Sequence, residues 1–164
     1  MTGADERAGV VADVTVDAPA ERVWGLLVDW ERHDEWMLGT HMSDVSGAAP
    51  TAATAATTDV GTELAAVTGI GRFAFTDTMR VTTWDPPRRC TVVHTGRLVR
   101  GEGVFEVVEL PGDRSRVIWS ERLDLPLGAL GRLGWPLVRP LVVAGLTWSL
   151  RRLAKLAERE SHRR

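Results

Sequence analysis

The chain has 164 residues, 44% of them hydrophobic and 26% charged, which suits one globular domain that needs neither a disulfide nor a metal for stability. Its formal net charge of -2 argues against broad nucleic-acid binding, and its single cysteine excludes an internal disulfide and fits a cytoplasmic protein. The N-terminus lacks the apolar core of a signal peptide, and no run of about 20 uncharged apolar residues predicts a membrane-spanning helix.

The N-terminal part of the chain predicts one strand followed by two short helices. Residues 1–9 are expected to be disordered. Apolar and polar residues alternate over 10–16, as in a half-buried strand. Pro19 suits the first turn of a helix, and apolar residues then recur on one helical face as far as Trp30. A second short helix is expected over 30–36.

The middle of the chain predicts an antiparallel meander. Turn-forming glycine, proline and aspartate separate its apolar runs, so consecutive strands are expected to pair. Residues 47–60 are rich in alanine and threonine and have too few large side chains to pack, which predicts a flexible loop. The predicted strands cover residues 40–46, 61–68, 73–84, 88–95, 98–110 and 115–125.

A long helix is predicted over 137–160, followed by a tail at 161–164. One face carries an apolar stripe, but the opposite face of the first half is apolar too, with Leu137, Leu141 and Trp148. A helix that is apolar all round is buried on both sides. We expect the chain's own fold to cover this second face, with a homodimer partner or a membrane surface as the alternatives. The order of elements indicates an α+β protein.

Four stretches of the sequence occur in an order and at spacings typical of one family. They are VTVDAPAERVW at 14–24, DWERHDEW at 29–36, VTTWDPPRR at 81–89 and SRVIW at 115–119. With the final helix, they resemble the polyketide cyclase/dehydrase family of the START-like (SRPBCC), helix-grip superfamily. The resemblance implies a curved antiparallel sheet wrapped around a long C-terminal helix, with two short helices after the first strand. Residues 10–160 would form one ligand-binding domain, and 47–60 would be an insertion. No catalytic residue is carried over, because the shared residues are largely structural.

The resemblance also implies a cavity between the concave face of the sheet and the last helix. Alternate residues of each strand point to the same face, which selects a largely apolar lining. Such a lining suits an apolar small molecule, although a solid core would give the same pattern. The candidate ligand-binding residues are Phe75, Met79, Val81, Cys90, Val92, Phe105, Val107, Val117, Trp119, Leu141, Gly145 and Trp148.

Three ionisable residues fall in the same inward-facing set, namely Asp77, His94 and Glu121. Histidine titrates near neutral pH, so His94 suits a general acid or base acting on a carbonyl or an enol, with Glu121 orienting it. The alternatives are an outward-pointing or hydrogen-bonded core histidine, and carboxylates that form salt bridges on the strand face with Arg80, Arg100 or Arg122.

Other reactive side chains give weaker indications. His33 and His41 match no standard spacing of metal ligands, so neither a metal nor a cofactor is expected. Cys90 has no histidine partner at a known spacing, which favours a buried and inert thiol.

Three functions are compatible with the sequence. The first is a carrier or sensor of an apolar small molecule such as a polyketide, a lipid or an isoprenoid. The second is a polyketide cyclase, aromatase or dehydratase in which His94 or Asp77 moves protons. The third is a module that docks its apolar segment 125–148 onto a protein or a membrane surface. Ionisable groups that converge in a pocket would favour the enzyme, and a closed pocket would favour the module.

Overall fold

The computed structural model describes residues 8–44, 58–69, 72, 74–97, 99–124 and 129–162. The predictions for residues 1–7, 47–57 and 163–164 therefore lie outside the described residues. At the edges of these predicted segments, three positions have defined contacts. Ala8 starts the first strand opposite Leu123. Thr58 is buried and accepts a hydrogen bond from Trp30 Nε1 at 2.8 Å, and Ser161 ends the last helix.

The described residues form one seven-stranded antiparallel sheet and three helices. The order of strands in the sheet is β1-β7-β6-β5-β4-β3-β2, so β2 to β7 form the predicted meander and β1 joins it beside β7. The strands are β1 (Ala8–Val16), β2 (Thr40–Asp44), β3 (Glu63–Thr68), β4 (Phe75–Asp85), β5 (Arg89–His94), β6 (Gly101–Leu110) and β7 (Arg114–Leu123). The helices are α1 (Ala20–Leu27), a 3-10 helix (Trp30–Glu35) and α2 (Ala129–Ser161).

The sheet curls into a half-barrel that faces α2, which confirms the predicted α+β helix-grip fold. A register shift between Val81 and Thr83 interrupts the pairing of β4 with β5, and such irregularities increase local twist. At the start of β6, Gly101 has φ +135, and a Cβ there would overlap the carbonyl oxygen of Arg122. Glycine is therefore required where β6 passes β7.

Helix α2 begins at Ala129, eight residues before the predicted start at 137. The predicted helix began only after Gly131, Gly134 and Pro136, all of which lie inside the observed helix. In a helix interior glycine is about 1 kcal/mol and proline about 3 kcal/mol less favourable than alanine, which is why the sequence predicted a later start.

The two halves of α2 differ in burial. In the second half, Leu150, Leu153 and Ala157 are fully buried and pack against β1 and α1. In the first half, Leu137 and Leu141 remain 80% and 73% exposed. The expectation that the chain itself covers this face is therefore wrong for the described residues. The stability of the fold depends on the second half of the helix.

We expect Leu153→Ala to lower the free energy of unfolding by about 2–5 kcal/mol, because it leaves a cavity in a fully buried contact. The matched control is Leu137→Ala in the same helix, which should change stability by no more than about 0.5 kcal/mol. Urea-induced unfolding followed by circular dichroism measures both. Equal losses in the two variants would contradict the exposure of the first half.

Candidate functional site

A pocket of about 400 Å³ lies between the concave face of the sheet and the middle of α2, residues 141–149. Its size is within the range of small-molecule sites, and most of its lining is apolar. The predicted cavity residues found in its lining are Phe75, Asp77, Met79, Val92, His94, Phe105, Trp119, Glu121, Leu141 and Gly145.

Five residues expected in the lining lie elsewhere. Four of them share the inward face of their strands but belong to the buried hydrophobic core rather than to the pocket. The fifth, Trp148, lies on the outer side of α2, 42% exposed, with the Arg152 guanidinium 4.8 Å from its ring centroid. The four core residues are Val81, Cys90, Val107 and Val117.

The sequence analysis did not predict several residues of the pocket lining. Alternation along β2 and β3 would have found Thr40, Met42, Leu64, Ala66 and Thr68, because their strands were predicted but not assigned a face. The others come from the 3-10 helix and its exit, from loops and strand ends, and from α2, whose pocket face only the tertiary packing defines. They are Trp30, His33, Met37, Leu38, Val99, Leu123, Val142, Leu146 and Ser149.

Three ionisable side chains meet on the sheet side of the pocket. Asp77 Oδ2 lies 2.6 Å from Nδ1 of His94, and Glu121 Oε2 lies 3.2 Å from Nε2 of the same ring. Trp119 Nε1 donates a hydrogen bond to the other oxygen of Glu121 at 2.7 Å. The side chains of Asp77, His94 and Glu121 are 8%, 9% and 11% exposed. We call these three residues the acid–histidine–acid cluster.

The carboxylates of this cluster pair with His94 rather than with the arginines that sequence analysis offered as partners. Arg80, the nearest of those in sequence to Asp77, pairs instead with Glu63 on the exposed face of β3. The inward alternation of β4, β5 and β7 explains the result, since it turns all three cluster residues to the concave face of the sheet.

The cluster holds His94 in its charged form. Burial lowers the pKa of His94, but the hydrogen bonds with Asp77 and Glu121 outweigh it and raise the pKa to about 9. At neutral pH both ring nitrogens therefore carry protons, and each N–H donates to a carboxylate. The site presents an acidic N–H group inside an apolar pocket.

Two glycines make room for the carboxylates. A Cβ at Gly103 would lie 2.9 Å and 3.1 Å from the two carboxylate oxygens of Glu121. A Cβ at Gly96 would lie 2.8 Å from Oδ1 of Asp77. Both contacts are shorter than real Cβ contacts, so a side chain at either position would displace the carboxylate beside it. Alternation along β6 places Gly103 on the same face as Phe105, which was a usable signal in the sequence.

His33 is a second buried histidine of the lining, but its environment differs. Its Nε2 donates to the Leu27 carbonyl oxygen at 2.8 Å, and its ring lies between those of Trp30 and Trp36, with centroids 5.0 Å and 4.7 Å away. Burial lowers its pKa to about 4, so the ring is neutral at physiological pH.

Cys90 and His41, the other reactive side chains weighed in the sequence, lie outside the described lining of the pocket. Burial raises the pKa of the Cys90 thiol to about 12, so no thiolate is available at neutral pH. His41 lies on the surface, 3.8 Å from Asp34. Across the part of the chain that the structure describes, no three histidine, cysteine or acidic side chains are grouped as metal ligands.

The curled sheet, the long helix and the pocket between them define a helix-grip protein of the START-like class. Residues 7–158 match the family described as "Polyketide cyclase / dehydrase and lipid transport". The match covers most of the chain, so the protein belongs to this family. No curated protein matches it.

Solved structures share the fold at low sequence identity. The Zhui aromatase/cyclase from Streptomyces sp. R1128 has a TM-score of 0.74 and 17% identity, over 95% of this chain and 96% of that chain. A protein from Thermus thermophilus has a TM-score of 0.73 and 20% identity, over 94% and 99%. A START superfamily protein from Mycobacterium smegmatis has a TM-score of 0.60 and 16% identity, over 94% and 97%. Similarities at this identity show the fold alone.

The charge on His94 predicts how stability depends on pH. Its pKa of about 9 in the folded protein exceeds the ordinary histidine value of 6.5, so its stabilising contribution is complete below about pH 6.5. The contribution is lost as the pH rises through about 9. We expect the free energy of unfolding to fall over this window in the wild type and less so in His94→Gln. The control His41→Gln, at an exposed position, should follow the wild type, and equal slopes in all three would contradict the assignment.

The space at Gly103 predicts the effect of one added methyl group. Gly103→Ala should displace the Glu121 carboxylate and so lower the pKa of His94 below about 9, because one hydrogen bond to the charged ring is lost. NMR titration of the His94 ring measures the change. Gly9→Ala, in an open position of β1, should leave that pKa unchanged. An unaltered value in Gly103→Ala would show that the carboxylate does not occupy this space.

Proposed function

We propose that the protein is an acid–base enzyme that cyclises or dehydrates an apolar, carbonyl-bearing chain of the polyketide type. The observation that carries this proposal is the convergence of Asp77, His94 and Glu121 at one point of an apolar pocket. The sequence analysis took converging ionisable groups in a pocket as the feature that favours an enzyme over a carrier. Buried charged clusters beside a pocket are also a physical indicator of functional sites.

The lining of the pocket supports an apolar substrate with few polar groups. The walls are formed by side chains such as Phe75, Met79 and Phe105, with the cluster as the main source of charge among the described lining residues. An apolar chain gains free energy by leaving water for these walls. Its oxygen atoms would be directed to the cluster, because an unpaired carbonyl elsewhere in the pocket would lose its hydrogen bonds.

The geometry suggests a different role for each residue. The contact of His94 Nε2 with Glu121 is 3.2 Å, whereas that of Nδ1 with Asp77 is 2.6 Å. A substrate oxygen therefore competes more easily for Nε2 than for Nδ1. We assign His94 Nε2 as the acid, Glu121 as the base and Asp77 as the residue that orients the ring.

These side chains can accept and supply both protons that a dehydration requires. Glu121 takes the proton from the carbon next to the carbonyl, and the electron pair forms the carbon–carbon double bond. The bond to the β-hydroxyl breaks, and that oxygen takes the proton of His94 Nε2 and leaves as water. Glu121 is then protonated and His94 neutral. Proton transfer across their 3.2 Å contact restores the starting state.

Binding without turnover, as in a carrier or sensor, is the second candidate. It is favoured by the fact that both ring nitrogens of His94 already have carboxylate partners. In that case the cluster would only hydrogen-bond an oxygen of the ligand, and the apolar walls would provide most of the affinity.

The two candidates are separated with a simple probe, 4-hydroxydecan-2-one, whose dehydration produces an ultraviolet-absorbing enone. We expect the wild type to accelerate enone formation and to lose activity above about pH 9, where His94 deprotonates. Glu121→Gln and His94→Gln should each reduce the rate by about a hundredfold or more. The control Glu106→Gln, on the exposed face of β6, should retain it.

Binding of the probe, seen as a change in tryptophan fluorescence, without enone formation would reject the dehydration and favour the carrier. Absence of both binding and turnover for this and longer hydroxyketones would reject the polyketide-type substrate.

A further inference from the structure

An exposed apolar stripe runs along the first half of α2. Leu130, Leu133, Leu137 and Leu141 are 72%, 81%, 80% and 73% exposed. Their spacings of three, four and four residues place them on one side of the helix. We call these four residues the leucine stripe. Single exposed leucines are common, but a contiguous stripe marks an interaction surface.

The same side of α2 becomes cationic toward the C-terminus. Trp148 follows the leucine stripe, with Arg152 over its ring, and the exposed Arg151 and Lys155 come next. From 125 to 157 the sequence contains no aspartate or glutamate. Leucine, then tryptophan, then basic side chains is the order met on passing from the acyl region of a bilayer to its headgroups.

We propose that the first half of α2 docks onto the surface of an anionic lipid membrane. The leucine stripe enters the boundary of the acyl chains, Trp148 lies at the headgroup level, and Arg151, Arg152 and Lys155 contact lipid phosphates. Each basic residue near an anionic surface adds to the affinity, and the leucines that enter the bilayer supply its apolar part.

The fold favours docking over crossing. The length and composition of α2 are those of a membrane-spanning helix. Its most apolar 18-residue window has a mean hydropathy of 1.2, and 11% of that window is buried. The sequence analysis, by contrast, predicted no membrane-spanning helix. However, Leu150 and Leu153 in the second half are fully buried against the rest of the domain. Only residues 129–140 precede the part of the helix that lines the pocket, which is about 18 Å of helix and shorter than the roughly 30 Å core of a bilayer.

The charge distribution favours a lipid surface over a second copy of the chain. In a symmetric pair, the same patch of both copies would meet. The cationic ends would then enter an interface to which 125–157 contributes no acidic side chain. Anionic lipid supplies the missing negative charge.

The pocket meets the leucine stripe. Leu141 belongs to both, and Leu38, a lining residue that is 54% exposed, lies on the other side of the same rim. The methyl Cδ2 of Leu38 is 3.9 Å from where a Cβ of Gly145 would lie. An apolar ligand would pass between membrane and pocket at this rim without entering bulk water. This inference goes beyond the proposed function and holds whether or not the ligand is turned over.

Co-sedimentation with vesicles tests the proposal, using phosphatidylcholine alone and an equal mixture with phosphatidylglycerol. We expect the wild type to bind the mixed vesicles, more weakly at high salt, and to bind pure phosphatidylcholine less. Leu133→Ser/Leu137→Ser should weaken binding at least about tenfold, because two leucines no longer enter the bilayer. Arg151→Gln/Arg152→Gln should weaken binding to the mixed vesicles only.

The matched controls are Val11→Ser/Val108→Ser, which removes exposed apolar side chains from the sheet, and Arg88→Gln/Arg114→Gln, which removes exposed charge. Both should bind like the wild type. Circular dichroism verifies folding, and neither Leu133 nor Leu137 lines the pocket, so turnover or binding of 4-hydroxydecan-2-one should persist.

Three results would overturn the proposal. The first is no binding of the wild type to the mixed vesicles. The second is equal binding of the wild type and Leu133→Ser/Leu137→Ser. The third is a dimer in analytical ultracentrifugation that this double variant converts to a monomer while vesicles remain unbound, which would assign the leucine stripe to a second copy. Failure of the enone assay alone would leave membrane docking untouched.

Discussion

A charged imidazolium inside an apolar pocket is the constraint on which the site depends. Such a charge is costly to bury unless it is paired, and the carboxylates of Asp77 and Glu121 pair both of its nitrogens. The Glu121 carboxylate in turn needs space and a donor, which Gly103 and Trp119 provide. One buried charge thus accounts for the identity of several residues on four strands.

The order of strands in the sheet sets the distance between the cluster residues. Glu121 on β7 and His94 on β5 are separated by β6, so their side chains must meet across an intervening strand. Gly103 on β6 pairs with both Glu121 and Val92 and has no side chain to block the contact. The cluster therefore requires a gap in the middle strand as much as it requires the three ionisable residues.

The sequence predicted what depends on local periodicity and missed what depends on packing. Period-two alternation placed Asp77, His94 and Glu121 on one face, and the order of elements indicated the sheet and its helix. It did not indicate how far the pocket extends, because α1 fills the part of the concave face around Val117. The pairing of Asp77 with His94 was also missed, since pairing between strands depends on register, which turns and bulges set.

Different parts of α2 are under different evolutionary constraints, because only its second half packs into the core. Residues around Leu153 are held by the core, so their replacement is penalised through folding. Positions such as Val142 and Gly145 border the pocket, lie outside the leucine stripe and contribute little to the core, so they are free to vary. Descendants of this protein would acquire new ligand preferences by changing these positions at the border of the pocket, with no compensating substitutions needed elsewhere in the domain.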